Sequence, residues 1–390
     1  MRRTWLLPLL AATALAASSA QAANPPEQPK SGPGGADYAV QEVTKRAVGR
    51  ASAPVFVFHG AGPAKAARPV AVLFHSWGAA NPQLYGGWIE HLARKGYLVL
   101  FPRFQEVNRT RPADATTIAT GLVKEALEAL ANDAEAKPDL DRVAYIGHLA
   151  GVPLALNLAA GAKEDGLPVP KLVLGAMPGG IASDAKARGI LLDDLSGLDR
   201  STMLVVMSGD REYIASDRAG RRILKEASAV PATRKLFIRV SSDAHGYPPV
   251  SATLASPGSP KTDYDAAAIK LPPEPPRDPK QKPPAFRWSA DMALSGEQTV
   301  LTQQLGLNAI DTLDYYAFWK TFDMAAEAAL GGKDATTLRS DPKFVDMGTW
   351  SNGWPMRRLS AEMPKVEGDE EKPAAGPRRR LQAPADSPSE

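Results

Sequence analysis

Short runs rich in β-branched and aromatic residues recur along the chain, separated by stretches whose apolar positions fall at helical spacing. The runs lie at residues 55–59, 70–75, 97–102, 142–147, 171–176, 203–208 and 235–241, and each predicts a strand. Between them, residues 88–95 and 115–131 predict helices. In the second, Ile118, Leu122, Ala126 and Leu130 share one face while Lys124, Glu125 and Glu128 look outward. Strands alternating with helices imply a mostly parallel sheet with both faces covered. The first strands follow one another closely, as a hairpin-like antiparallel start requires. One α/β domain spanning about residues 37–360 accounts for the pattern.

Two stretches interrupt the alternation. Residues 271–285 are proline-dense, which suits neither helix interior nor central strand, and predict an extended surface excursion. Residues 309–330 predict a strong amphipathic helix, with Asp311 able to cap its start and Gly331-Gly332 ending it. Its aromatic stripe (Tyr315, Phe318, Trp319 and Phe322, with Tyr316 beside them) reads as core packing, with a substrate-facing ring as the alternative. The segment between Ala176 and Thr202 is short, so no large lid is expected there.

The ends differ in composition. Arg2 and Arg3, an apolar run from Trp5 to Ala17 and the triplet Ala20-Gln21-Ala22 follow the order of a secretory signal peptide. The apolar run is shorter than the roughly 20 residues a spanning helix needs. We read residues 1–22 as a cleaved signal and the protein as exported, to a periplasm or beyond, with no membrane span left after cleavage. Sec and twin-arginine routes both fit the paired arginines. Residues 23–36 read as a flexible leader and residues 361–390 as a disordered tail.

Charge and cysteine content narrow the chemistry. With 46 Lys+Arg against 43 Asp+Glu among 390 residues, the net charge of +3 predicts no nucleic-acid partner. There is no cysteine, which removes disulfides, thiolate metal sites and a cysteine nucleophile. The five histidines show no metal-binding spacing, and no phosphate-binding glycine loop follows a strand. Neither metal nor cofactor is expected.

The candidate chemistry lies at strand ends. The run at 142–147 leads into Gly147-His148-Leu149-Ala150-Gly151 and then a helical stretch. Two glycines around one residue between strand and helix are the frame of a nucleophile elbow, where the central side chain projects at the sheet's C-terminal edge. That residue should be Ser, less often Cys or Asp; here it is Leu149. The strand at 70–75 runs into Ser76-Trp77-Gly78, where such a site finds half of its oxyanion hole. The amides of Trp77 and Ala150 are the candidate donors. An earlier His59-Gly60 motif comes one strand too soon and reads as a decoy. After the strand at 203–208 come Asp210 and Glu212, and after that at 235–241 comes His245. The order elbow, acid, histidine makes His245 the candidate base. Glu212 is the first candidate acid by spacing, Asp210 the second and Asp217 the third. Each carboxylate alone reads as a solvated loop charge; together with the strand order they read as a site.

The segments HSWGA, GGWIEHLARKGYLVLFPRFQ, GHLAG, GDREYIASDRAGRRI, SSDAHGYPP and DTLDYYAFWKTFD, running from about Pro54 to Leu359, resemble a bacterial group of secreted α/β-hydrolases of esterase/lipase type. The resemblance implies an α/β-hydrolase fold, Ser-His-acid acyl transfer, no cofactor and a small ester or acyl substrate. By that resemblance His245 is the base, Glu212 or Asp210 the acid, and Trp77 and Ala150 the oxyanion donors. Leu149 stands at the nucleophile position, with no lone pair to attack and no proton to give. Loss of a triad nucleophile costs on the order of 10⁶ in kcat, about 8 kcal/mol of barrier. Three readings follow: a relative that kept the pocket for binding, a change confined to the nucleophile in otherwise intact machinery, or a site rewired to use Ser76.

Overall fold

A computed structural model describes residues 22–64, 66–211, 213–274, 287–294 and 298–364. The expected signal segment to residue 21, most of the proline-rich excursion and the tail from residue 365 lie outside the described residues.

The strands are β1 (Val43–Arg50), β2 (Ala53–Gly60), β3 (Arg68–Phe74), β4 (Leu98–Pro102), β5 (Pro138–His148), β6 (Leu172–Ala176), β7 (Met203–Gly209), β8 (Lys235–Val240) and β9 (Ser360–Glu362). They form one sheet in the order β1-β2-β4-β3-β5-β6-β7-β8-β9. Strands β3 to β8 run parallel, while β1, β2 and β9 are antiparallel to their neighbours. The antiparallel start is thus a hairpin, with Val48 opposite Val55. Strand β1 was not expected: its alternation VTKRAVGR is half polar, as suits an edge strand that no residue of its own fully buries.

The period of two along each strand sorts side chains onto two faces. Phe56 and Phe58 join one core and Val55 and Val57 the other. The principal helices are α1 (Gly86–Arg94), α2 (Ala115–Leu130), α3 (Gly151–Ala160), α4 (Tyr213–Glu226), α5 (Gln298–Leu307) and α6 (Lys320–Leu330). Helices α2 and α3 pack on the valine side, with Leu122, Ala126 and Leu130 of the expected α2 face buried. Helices α1 and α6 cover the phenylalanine side.

The segment expected as one helix over 309–330 is interrupted. Asp311 does cap it, accepting from the Leu313 amide at 2.7 Å, but Asp314–Trp319 forms a π-turn before α6 begins. The aromatic stripe is core packing, as expected: Trp88 meets Phe318 at 6.1 Å, His91 stacks on Trp319 at 4.7 Å and Tyr97 meets Phe322 at 5.5 Å.

Residues 23–36, expected as a flexible leader, lie docked along the domain as a strap. The Ala23 carbonyl accepts from the Tyr247 amide and that of Pro26 from the Thr312 hydroxyl. Asn24 and Ser351 exchange hydrogen bonds, and the Gly34 amide donates to Asp323 at 2.8 Å. Composition suggested mobility, but prolines also lower the entropy lost when a segment docks. Among the described residues no helix is long and apolar enough to cross a membrane.

Candidate active site

Parallel strands deliver their C-terminal ends to one edge of the sheet. Ser76 follows β3, Leu149 follows β5, Met177 follows β6, Asp210 follows β7 and His245 follows β8. His59 ends β2, which runs the other way, so its motif lies away from this edge. Its Nδ1 bonds the Gly60 carbonyl, and burial pushes its pKa down.

Leu149 has the elbow's backbone. Its φ is +50°, a left-handed conformation that a branched side chain adopts only where the surroundings impose it. The imposition is visible in the flanking glycines. A Cβ on Gly147 would meet the Gly151 carbonyl oxygen at 2.5 Å, and one on Gly151 would meet the Phe74 carbonyl oxygen at 1.9 Å. Strand β5, helix α3 and strand β3 are therefore in backbone contact, and the turn between β5 and α3 has no slack. Helix α3 begins immediately, with the Val152 amide donating to the Leu149 carbonyl at 2.9 Å. The leucine side chain is 2% exposed and belongs to the phenylalanine-side core.

Trp77 and Ala150, the expected oxyanion donors, have amides with no hydrogen-bond partner among the described residues. The amides around Trp77 are committed: Ser76 donates to the Tyr85 hydroxyl oxygen at 3.0 Å and Gly78 to Gln105 at 2.6 Å. A spare amide at a helix start suits a negative group.

Ser76 is built into a buried polar chain rather than a catalytic pair. His148 Nε2 lies 2.8 Å from the Leu254 carbonyl, which can only accept, so this nitrogen carries the proton. Nδ1 then accepts from the Tyr85 hydroxyl at 2.8 Å. Ser76 Oγ sits 3.3 Å from the same Tyr85 oxygen. Burial pushes His148 down to about 4 and Tyr85 up to about 12, so neither ionises near neutral pH. Ser76 is 1% exposed.

His245 sits on the surface. Asn352 Nδ2 lies 3.0 Å from its Nε2, and its ring stacks on Trp354 at 5.4 Å with an 11° interplanar angle. Its ring meets no carboxylate among the described residues. Instead its main chain is anchored by Asp243, which accepts from the His245 amide at 3.0 Å, the Arg357 amide at 2.9 Å and the Trp350 indole at 3.3 Å. Burial would raise the Asp243 pKa, but these donors outweigh it and the net shift is downward. Asp243 and the Trp350–Trp354 turn were missed in the sequence, where they are far apart and lack a motif.

The candidate acids divide. Asp210 spends both oxygens on Ser242, taking its amide at 2.8 Å and its hydroxyl; this clasp joins the loops after β7 and β8. Asp217 pairs with Arg221 and Arg239, each at 2.8 Å, on helix α4, which leaves it no triad role. Glu212 lies outside the described residues.

Segments after both β8 and β6 reach this edge, and the Gly179 amide donates to the Leu149 carbonyl at 3.4 Å. The Ala252 carbonyl accepts from the Arg211 amide at 3.1 Å and that of Leu254 from His148. Asn308, just past helix α5, donates to the Ala255 carbonyl at 2.6 Å. Among the described residues no His/Asp/Glu cluster has the form of a metal site.

The sheet order, the antiparallel start and the strained strand-to-helix turn after β5 define an α/β-hydrolase fold. A family model described as Chlorophyllase matches residues 33–186, less than half of the chain. Solved structures similar to it include an esterase of Rhizomucor miehei, at 14% identity over 52% of this chain and 76% of that one, TM-score 0.42. Two others are an esterase of the archaeon Pyrobaculum calidifontis (15% identity, 53% and 75% covered, TM-score 0.41) and an α/β hydrolase from a Medee basin deep-sea metagenome (18%, 53% and 83%, TM-score 0.40). No curated protein matches the chain.

Proposed function

We propose that this is an exported protein of ester-hydrolase type whose conventional triad chemistry is disabled at one position, Leu149. The observation that carries the reading is the +50° φ of Leu149 between two glycines that admit no side chain. A leucine gains nothing from that conformation, whereas an elbow nucleophile is aimed by it. The unpartnered amides of Trp77 and Ala150 and the partial match to the chlorophyllase model support an acyl-transfer ancestry. Glu212 remains the first candidate acid and His245 the base. A substitute nucleophile at Ser76 has the geometry against it: its side chain is buried beside Tyr85, whose proton is committed to His148.

The test is hydrolysis of a short p-nitrophenyl ester series by the mature protein, with Leu149→Ser and Leu149→Ser/His245→Ala beside it. Leu149→Ser is expected to gain at least about 10³-fold in kcat, part of the roughly 10⁶ a nucleophile supplies, and to lose it again without His245. Fast turnover by the unaltered chain would sink the assignment.

A second reading, a periplasmic binding protein that uses the former pocket, is favoured by the placement of Asn352 against Nε2 of His245. On that reading a small acyl or ester ligand binds without turnover, and replacing His245 leaves its affinity unchanged.

A further inference from the structure

Away from the elbow, the strap, the π-turn with helix α6 and the segment 333–346 line a partly open cavity of about 790 Å³. Pro29 and Pro33 of the strap, with Met324, Ala328 and Leu338, give it apolar walls. Lys320 also lines it and is only 5% exposed.

The surroundings of this lysine are incomplete. An ammonium has three N–H donors, and among the described residues the one acceptor bonded to it is the Asp346 main-chain carbonyl. The Tyr316 ring lies under the nitrogen at 5.7 Å. Among the described residues no carboxylate lies within ion-pair reach of Lys320. Buried charges are normally paired, because stripping water from an unpaired one is costly. The other charged groups lining the cavity are Glu327 on the same helix and Lys333, Asp341, Lys343 and Asp346 on the following segment. Three lysines, Lys320 included, stand against three carboxylates in the lining, so its charges balance, but Asp341 and Asp346 act on Lys320 only at longer range than an ion pair. The strap residues lining the cavity carry no charge.

We propose that this cavity is a second ligand site, which takes a small molecule with a carboxylate head on Lys320 and an apolar body against Met324, Ala328 and Leu338. A volume of this size lies within the range of small-molecule pockets. The carboxylate supplies the acceptors that the Lys320 ammonium lacks, and the strap forms one wall of the site. Desolvation lowers the Lys320 pKa to about 8, so the cation that holds the head is present at neutral pH and lost in mild alkali.

The experiment is calorimetric titration of the full mature chain with octanoate, with octylammonium as the control of opposite charge. Octanoate is expected to bind one to one at pH 6.5 and at least about tenfold more weakly at pH 9.5, with octylammonium failing to compete. Lys320→Met should weaken octanoate at least about tenfold, whereas Lys320→Arg keeps binding. Ala328→Phe, which fills the cavity and spares the charge, should block it. Octanoate binding that is unchanged in both Lys320→Met and Ala328→Phe places the ligand elsewhere, such as at the elbow amides, and overturns the proposal. Absence of binding by the unaltered protein overturns it too. Melting curves of each variant separate loss of the site from loss of the fold.

Discussion

Asn352 holds Nε2 of His245 at 3.0 Å, across 107 positions of sequence. An amide nitrogen can only donate, so Nε2 accepts and the imidazole proton sits on Nδ1. This is the tautomer a general base needs, with its lone pair engaged by an amide instead of a nucleophile's hydroxyl. On the proposed function, an elbow that offers only Leu149 has no hydroxyl to compete for that lone pair.

From this pairing we expect Asn352→Ala to matter only when a nucleophile is present. In the Leu149→Ser background it should raise kcat for p-nitrophenyl acetate about three- to tenfold, the equivalent of one released hydrogen bond of about 1 kcal/mol. A fall in kcat would show that Asn352 orients the ring productively.

The elbow should tolerate no bulk at its glycines. Gly151→Ala drives a methyl toward the Phe74 carbonyl oxygen, a main-chain atom in the middle of the sheet. We expect a loss of about 3 kcal/mol or more, at or beyond the upper end for overpacking, read as a lower urea midpoint. Gly121→Ala in α2 is the control, because no atom lies within 4 Å of its added methyl; it should stabilise by up to about 1 kcal/mol.

The strap should contribute stability through few, identifiable contacts. Thr312→Val removes the buried hydroxyl that serves the Pro26 carbonyl at 2.7 Å, and should cost about 1–3 kcal/mol. Deleting residues 23–36 should cost more, because the Asp323 carboxylate loses the Gly34 amide and the Tyr38 hydroxyl loses the Gln28 side-chain amide. Denaturant unfolding of the two variants measures both; a strap that merely rests on the surface would leave the midpoints unchanged.

Lys320 sets an alkaline signature. Its folded pKa, lowered to about 8 by desolvation, lies below the ordinary lysine value of about 10.4. The unfolded chain therefore binds more protons between these values, and stability rises with pH across that window. The penalty is fully present below about pH 8 and amounts to about 3 kcal/mol at 1.36 kcal/mol per unit. Lys320→Met should flatten the rise between pH 8 and 10 and leave the protein at least as stable at pH 7. An unchanged slope would show that another group titrates there.

Much of the molecule was legible along the chain because the information is local. Strand and helix positions follow from whether apolar residues recur every two or every three to four positions. The elbow follows from two glycines around one residue between such runs. The deficit proposed at Leu149 likewise needs no structure, since a hydrocarbon side chain cannot attack a carbonyl. What tertiary structure alone decided are relationships between distant segments: Asn352 on His245, Asp243 under the Trp350 turn, the Ser76–Tyr85–His148 chain and the strap beside Lys320. None has a period or a motif, because each depends on where β8, the π-turn and the ends of the domain meet in space. Composition suggested a mobile leader where docking prevails, since proline content reports the freedom of an isolated segment and not the surface awaiting it.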